Sequence, residues 1–155
     1  VNIQTGGGKL GHTFPYFRLA EIYLNYAEAL NEYAPGNPDI ERYVNLVRER
    51  SDQPALPNGL TQDEMRERIR RERRVELAFE EHRAWDVRRW KVASSTLGAP
   101  LKGMRIERDN TQATPTYTYT PYVVEQRVFQ PKMYWYPIPQ SELLKLKGWK
   151  QNPQW

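Results

Sequence analysis

Among the residues able to do chemistry, the acids of one stretch come first. Glu72 and Glu76 stand one helical turn apart, and Glu80 and Glu81 are neighbours. Cleavage of a glycosidic bond takes two carboxyl groups about 5 to 9.5 Å apart, on opposite sides of that bond. Consecutive residues of a helix point about 100° apart, so Glu80 and Glu81 cannot form such a pair. Glu72 and Glu76 share a face, but Arg73 and Arg83 lie near enough along the sequence to hold them as ion pairs. Buried charge is rarely left unpaired, so structural pairing is the stronger reading. His82 has no Ser partner in recognisable spacing, and His12 lies in a glycine-rich N-terminal stretch. The chain has no cysteine, which excludes thiolate nucleophiles, disulfides and cysteine metal sites. It carries neither HExxH nor a calcium-loop pattern. Gly8-Lys9 resembles the end of a phosphate loop, but Ile3 stands where the first Gly should be and Leu10 where Ser or Thr must ligate magnesium. No catalytic, metal-ligating or cofactor-binding residue is nominated, no cofactor is expected, and the chain is expected not to be an enzyme.

The acids belong to Thr61–Lys91, TQDEMRERIRRERRVELAFEEHRAWDVRRWK, a run without Gly or Pro. Thr61 and Glu64 have capping-box spacing at its start. On a single helix, Met65, Ile69, Glu72, Glu76, Phe79, Arg83, Asp86 and Trp90 fall along one line. A solvated face would not need Phe79 and Trp90, and an apolar face would not tolerate the charges. The spacing therefore predicts a half-buried seam in which Glu72, Glu76, Arg83 and Asp86 compensate one another as structural charges.

Aromatic residues are the better candidates for direct contact with a ligand. They crowd the last quarter of the chain, and Tyr117, Tyr119 and Trp135 are the nominated ligand-binding residues. Flat aromatic faces beside hydroxyls suit a sugar, and Tyr and Trp also suit protein interfaces. Core packing is the leading alternative, ahead of partner contact and ligand stacking.

Helices must position these groups. Tyr16–Tyr33 carries apolar residues on two adjoining lines, Phe17-Ala20-Leu24-Ala27 and Leu19-Tyr23-Tyr26-Leu30, as in a helix packed on two sides. Pro35-Gly36-Asn37-Pro38 breaks it, and Asp39 is placed to cap a second helix reaching about Arg50, with Ile40, Tyr43, Val44 and Val47 inward. The Pro/Gly loop from Gln53 to Gly59 leads to Thr61. Units of about 34 residues with small Ala27 and Ala29 at crossing positions predict a mainly α fold, a tetratricopeptide-like αα-hairpin array forming an α-α superhelix. The Trp/Gly/Tyr pattern of a standard repeat is absent. After Lys91, Ser94–Pro100 reads as a loop, Leu101–Ile106 as an extended piece and Tyr117–Thr120 as a strand. Ser141 is placed to cap a short helix, Glu142–Lys147, ended by Gly148. The expectation is one domain over 1–155: a linker at 1–14, helical repeats at 15–91, and an irregular, short-stranded aromatic region at 92–155 packing on the helices.

The totals narrow the function classes. The 155 residues carry 23 basic and 19 acidic side chains, net +4. Within Thr61–Lys91 ten basic residues interleave with eight acids, so an Arg-rich nucleic-acid-binding domain is the weakest reading. No apolar run approaches the roughly 18 residues of a membrane span, and nothing reads as a signal peptide. A chain beginning at Val1 is expected to be a piece of something longer.

Three blocks, FRLAEIYLNYAEALNE, ERRVELAFEEHRAWDVRRW and YWYPIPQSELLKLKGWKQNPQW, resemble those that close proteins of the SusD/RagB family. Arg18 and Glu28 match the first block. Glu72-Arg73, Glu76, Arg83, Asp86 and Arg89 match the second, and Pro137-Ile138-Pro139 with Gln151-Asn152-Pro153 the third. Two residues depart: Glu81 stands where the family more often has Gly, and Gln154 where it commonly ends Asn-Pro-Gly-Trp. The resemblance implies the C-terminal portion of an outer-membrane, cell-surface lipoprotein. Such a protein binds oligosaccharides or other nutrients without catalysis and caps a TonB-dependent SusC-like transporter. Its lipid anchor, the only implied membrane association, would lie outside this chain, as would most ligand contacts, so this piece is expected to serve mainly as scaffold. A generic helical-repeat protein–protein interaction module is the alternative.

Overall fold

The computed structural model describes residues 16–111, 114–145 and 147–155. The expected linker, with Gly8-Lys9 and His12, lies outside them. Contacts fall into two compact units, Val1–His82 and Arg83–Trp155.

In the first unit, local capping sets two of the three helix starts. Helix α1, Leu19–Tyr33, follows Arg18, whose side chain makes no cap bond. Helix α2, Pro38–Glu49, is capped by Asn37 rather than by Asp39 as expected. The Asn37 side chain accepts from the Asp39 N–H at 3.0 Å, and Pro38 takes the first helical position, where its missing N–H costs nothing. Helix α3, Gln62–Glu76, has the full capping box: the Thr61 hydroxyl accepts from the Glu64 N–H at 3.3 Å and the Glu64 carboxylate from the Thr61 N–H at 2.9 Å.

Apolar residues at helical spacing then lock the three together. Leu24 and Ala27 of α1, Ile40, Val44 and Val47 of α2, Leu56 of the loop, and Met65 and Ile69 of α3 form one buried core. Each fully buried Leu, Ile or Val stabilises by about 1.5–3 kcal/mol. Buried Asn31 is satisfied reciprocally, its amide donating to the Gln62 carbonyl at 3.0 Å while the Gln62 amide donates to the Asn31 carbonyl at 2.9 Å. Coverage of the two expected lines of α1 is partial in both: Ala20, Tyr23 and Leu30 pack half-buried against the core beside Leu24 and Ala27, whereas Phe17, Leu19 and Tyr26 remain exposed. Ala27 is buried at a crossing, but Ala29 faces solvent.

The expectation of one helix through Lys91 is overturned. Helix α3 ends at Glu76, and a second helix, α4, begins at His82 and ends at Arg89. Between them Phe79 and Glu81 adopt left-handed backbone, with φ of 64° and 63°. Neither residue favours that region, at a cost of about 1–2 kcal/mol each. Tertiary contacts offset it: Leu77 is buried in the break, and Glu80 accepts from the Arg18 guanidinium at 2.7 Å. Phe79, expected on the seam, is fully exposed.

In the second unit, α4 is followed by the short α5, Ala93–Thr96, within what reads as loop. Strands β1, Leu101–Asp109, and β2, Thr116–Glu125, pair antiparallel, with Ile106 opposite Tyr119 and Arg108 opposite Tyr117, and a register shift at Leu101/Lys102. The hairpin is longer than the sequence signals suggest, because β1 lacks clean alternation. A 3-10 turn, Pro131–Tyr134, precedes the extended Trp135–Pro139. The last helix, α6, spans Gln140–Leu143 with Pro139 at its cap, so Ser141 lies inside it and caps nothing. Gly148 turns the chain with φ of 85°. The protein is mainly α, a tetratricopeptide-like helical hairpin followed by an irregular, short-stranded aromatic region.

Candidate functional site

Three of the acids that first suggested catalysis, Glu72, Glu76 and Glu80, are held by arginines in or beside α1 and α2. Glu72 receives Arg48 of α2 at 2.6 Å. The Glu76 carboxylate receives Arg50 at 2.7 and 2.8 Å and also pairs with Arg18. These partners are not the neighbours Arg73 and Arg83 named from the sequence. Arg73 is buried instead toward α1, contacting Asn25 and lying 3.7 Å from Glu28. Arg18, bonded to Glu80 and Glu76, has its pKa raised further by those bonds. Carboxylates clamped in this way tie helices together and are poorly placed to donate or accept catalytic protons. On α4, Asp86 is buried and accepts from Arg89 at 2.9 Å, while Arg83 is partly exposed. The four seam residues thus do not share one helix, and Glu72 and Glu76 belong to a different unit from Arg83 and Asp86.

The nominated aromatics also separate. Tyr117 and Tyr119 lie on one face of β2, opposite Arg108 and Ile106. Trp135 instead lines an open cleft of about 360 Å³ with Trp85, Arg88, Arg89, Lys91, Tyr134 and Tyr136. Helix α4 builds one wall. Asp86 and Val87 are buried, so Trp85, Arg88 and Arg89, at i, i+3 and i+4, stand together on its outer side. The helix then closes with the Lys91 N–H on the Arg88 carbonyl at 3.0 Å and the Val92 N–H on the Val87 carbonyl at 2.9 Å. That is a Schellman closure, with Lys91 in the left-handed position at φ of 58°.

The other wall is the segment Tyr134-Trp135-Tyr136-Pro137-Ile138-Pro139. Its prolines have no N–H, and the Ile138 backbone pairs with one side chain: Gln151 accepts from the Ile138 N–H and donates to its carbonyl, both at 2.8 Å. Asn152 donates to the Tyr136 carbonyl at 2.6 Å, and the Trp155 indole to the Lys132 and Trp135 carbonyls at 3.0 and 3.1 Å. The tail therefore zips onto the wall that presents the aromatic rings.

Cations sit over those rings. The Lys91 ammonium lies 4.6 Å from the Tyr134 ring centre and 5.4 Å from that of Trp135. The Arg88 guanidinium lies 5.2 Å from Tyr136 and 5.6 Å from Phe129, steered by bonds to the Met133 and Ala84 carbonyls at 3.2 and 2.7 Å. Trp85 and Tyr136 pack with ring centres 5.7 Å apart. Trp85, Trp135 and Tyr136 are still 55–60% exposed, so the arrangement can stack a flat ligand and donate hydrogen bonds to it. Sequence reasoning missed Trp85, Arg88, Arg89 and Lys91. The i, i+3, i+4 spacing after a helix start at His82 would have grouped the first three. Among the described residues no cluster of His, Asp or Glu is arranged to hold a metal, and no helix is long and apolar enough to cross a membrane.

Comparison with known proteins places this geometry. A family model described as the SusD family matches residues 1–155. The chain is similar to SusD-like protein P2 of Formosa agariphila, 43% identical over 88 residues, which is 52% of this chain and 17% of that relative. It superposes on a SusD-like protein of Bacteroides fragilis with a TM-score of 0.73 at 35% identity, covering 88% of this chain and 25% of the other. A SusD-like carbohydrate binding protein of the same organism gives a TM-score of 0.67 at 32% identity, covering 84% and 27%. The chain thus spans about a quarter or less of the length of these relatives.

Proposed function

Because the chain belongs to the SusD family, we propose that it is the C-terminal portion of a non-catalytic nutrient-binding protein, with oligosaccharides as ligands and this piece serving mainly as scaffold. The observation that carries the reading is the likeness at 32% identity to a solved SusD-like carbohydrate binding protein, over 84% of the chain. The scaffold role is supported by the first unit, where Glu72 and Glu76 clamp helices through Arg48, Arg18 and Arg50. The proposed setting is the cell surface at the outer membrane, with a TonB-dependent SusC-like transporter as partner and a lipid anchor elsewhere in the parent protein.

Binding of the intact parent to a glycan array tests this. Retention of oligosaccharides, with much weaker retention by the excised chain, is the expected result. Absence of glycan binding by the parent would remove the nutrient reading, and parent-level affinity in the excised chain would remove the scaffold role.

A further inference from the structure

We propose that the cleft between α4 and the Trp135–Pro139 segment is a subsite for an acidic sugar residue, bearing a carboxylate or sulfate. This rests on the nutrient-binding reading and narrows its ligand class.

The argument starts from what lines the cleft. All seven residues are aromatic or cationic, and none is an acid or an amide. A neutral sugar offers hydroxyls that both donate and accept, and sites that hold it need acceptors to match. Beyond the Tyr134 and Tyr136 hydroxyls, which can accept as well as donate, this cleft supplies ammonium and guanidinium donors together with exposed ring faces, so donors outnumber acceptors. Such a lining complements a ligand with an apolar ring face and an anionic edge. A volume near 360 Å³ is within the usual range of about 300–1,000 Å³ for small-ligand clefts.

Lys91 is the central group. It occupies the left-handed position of the Schellman closure, where glycine is the favoured residue, and the position holds its ammonium above Tyr134 and Trp135. Among the described residues no carboxylate pairs with it. Arg88 is oriented by two backbone carbonyls, and among the described residues no carboxylate pairs with it, which leaves guanidinium donors for a ligand. Arg89 shares the buried Asp86 and is the least available of the three. The surplus positive charge is thus carried by Lys91, over Tyr134 and Trp135, and by Arg88, over Tyr136 and Phe129.

The test uses the intact parent protein on an array of neutral, uronate and sulfated oligosaccharides, including uronates with the carboxylate methyl-esterified. Acidic glycans should be retained, and esterification should lower retention at least tenfold. Lys91→Gly should lower affinity for the acidic glycan at least tenfold without lowering the melting temperature, because glycine relieves the backbone at that position. Trp135→Ala should do the same to affinity, and Lys91→Arg should restore most of it. Acidic-glycan binding unchanged in Lys91→Gly and Trp135→Ala would overturn the subsite. Retention of neutral glycans alone would also overturn it while leaving the nutrient reading standing. If the parent bound a poly-glutamate peptide and no glycan, both readings would fall.

Discussion

Glu81 and Gln154, the two positions where the resemblance of the terminal blocks leads to an expectation of glycine, both have left-handed backbone, with φ of 63° and 69°. The departure therefore carries a local cost. A non-glycine residue there loses about 1–2 kcal/mol, of which the greater freedom of glycine in the unfolded chain returns part. Glu81→Gly and Gln154→Gly should each raise stability by about 0.5–1 kcal/mol, read as a higher urea midpoint at unchanged slope. A lower midpoint in either would mean that its side chain contributes more than its backbone costs. Burial separates the acids in the same way. Asp86, 5% exposed and bonded to Arg89, should cost about 1.5–3 kcal/mol on replacement by Ala, because a charge-assisted hydrogen bond to a buried carboxylate is lost. Asp63, whose side chain is 88% exposed although it pairs with Arg66, should cost less than about 1 kcal/mol. Similar losses for both would show that burial does not set the scale here.

Elements in this protein are joined by side chains that satisfy backbone groups a regular ladder cannot reach. The Trp135–Pro139 wall cannot pair as a strand through Pro137 and Pro139, so Gln151 serves the lone Ile138 peptide between them. Gln151→Ala leaves that N–H and carbonyl without their partner, at about 0.5–1.5 kcal/mol for each bond. The expected signature is faster hydrogen exchange of the Ile138 amide, with the amides of α2 unaffected. Protection unchanged at Ile138 would mean that the tail does not hold the wall. The break between α3 and α4 follows the same logic. Its residues have adequate helix propensity, and the turn persists because Leu77 is buried and Arg18 reaches Glu80 and Glu76.

For the whole molecule, acid sensitivity follows from carboxylates held below their ordinary value of 4.5. The Arg66 guanidinium, bonded bidentate, lowers Glu32, and the Thr61 cap lowers Glu64. A depressed carboxylate stabilises fully above its unfolded pKa, and that contribution is lost as pH falls through the folded value. Stability should therefore change little from these groups above about pH 5 and decline below 4.5, with Glu32→Gln showing a shallower decline in a pH series of urea midpoints. An equally steep decline in Glu32→Gln would assign the acid loss elsewhere. Since Glu32 is exposed and its partner Arg66 is charged, added salt should shrink its share of the effect, whereas the neutral Thr61 cap on Glu64 is little screened.

Read alone, the sequence determined what is local or periodic. The capping box at Thr61, the turn at Gly36, the inward Ile40, Val44 and Val47, and the mainly α class all follow from bonding and spacing within a few residues. The three terminal blocks carried the family for the same reason, since they are contiguous. Partner choice was not legible. Glu72 and Glu76 took Arg48, Arg18 and Arg50 over nearer arginines, because packing three helices brings distant side chains closer than sequence neighbours. The cleft was half visible. Trp135 was named, but Lys91 and Arg88 reach the aromatic rings only once α4 ends in its left-handed closure and Gln151 pins the opposite wall. Those are choices made by long-range contacts, and no periodicity encodes them.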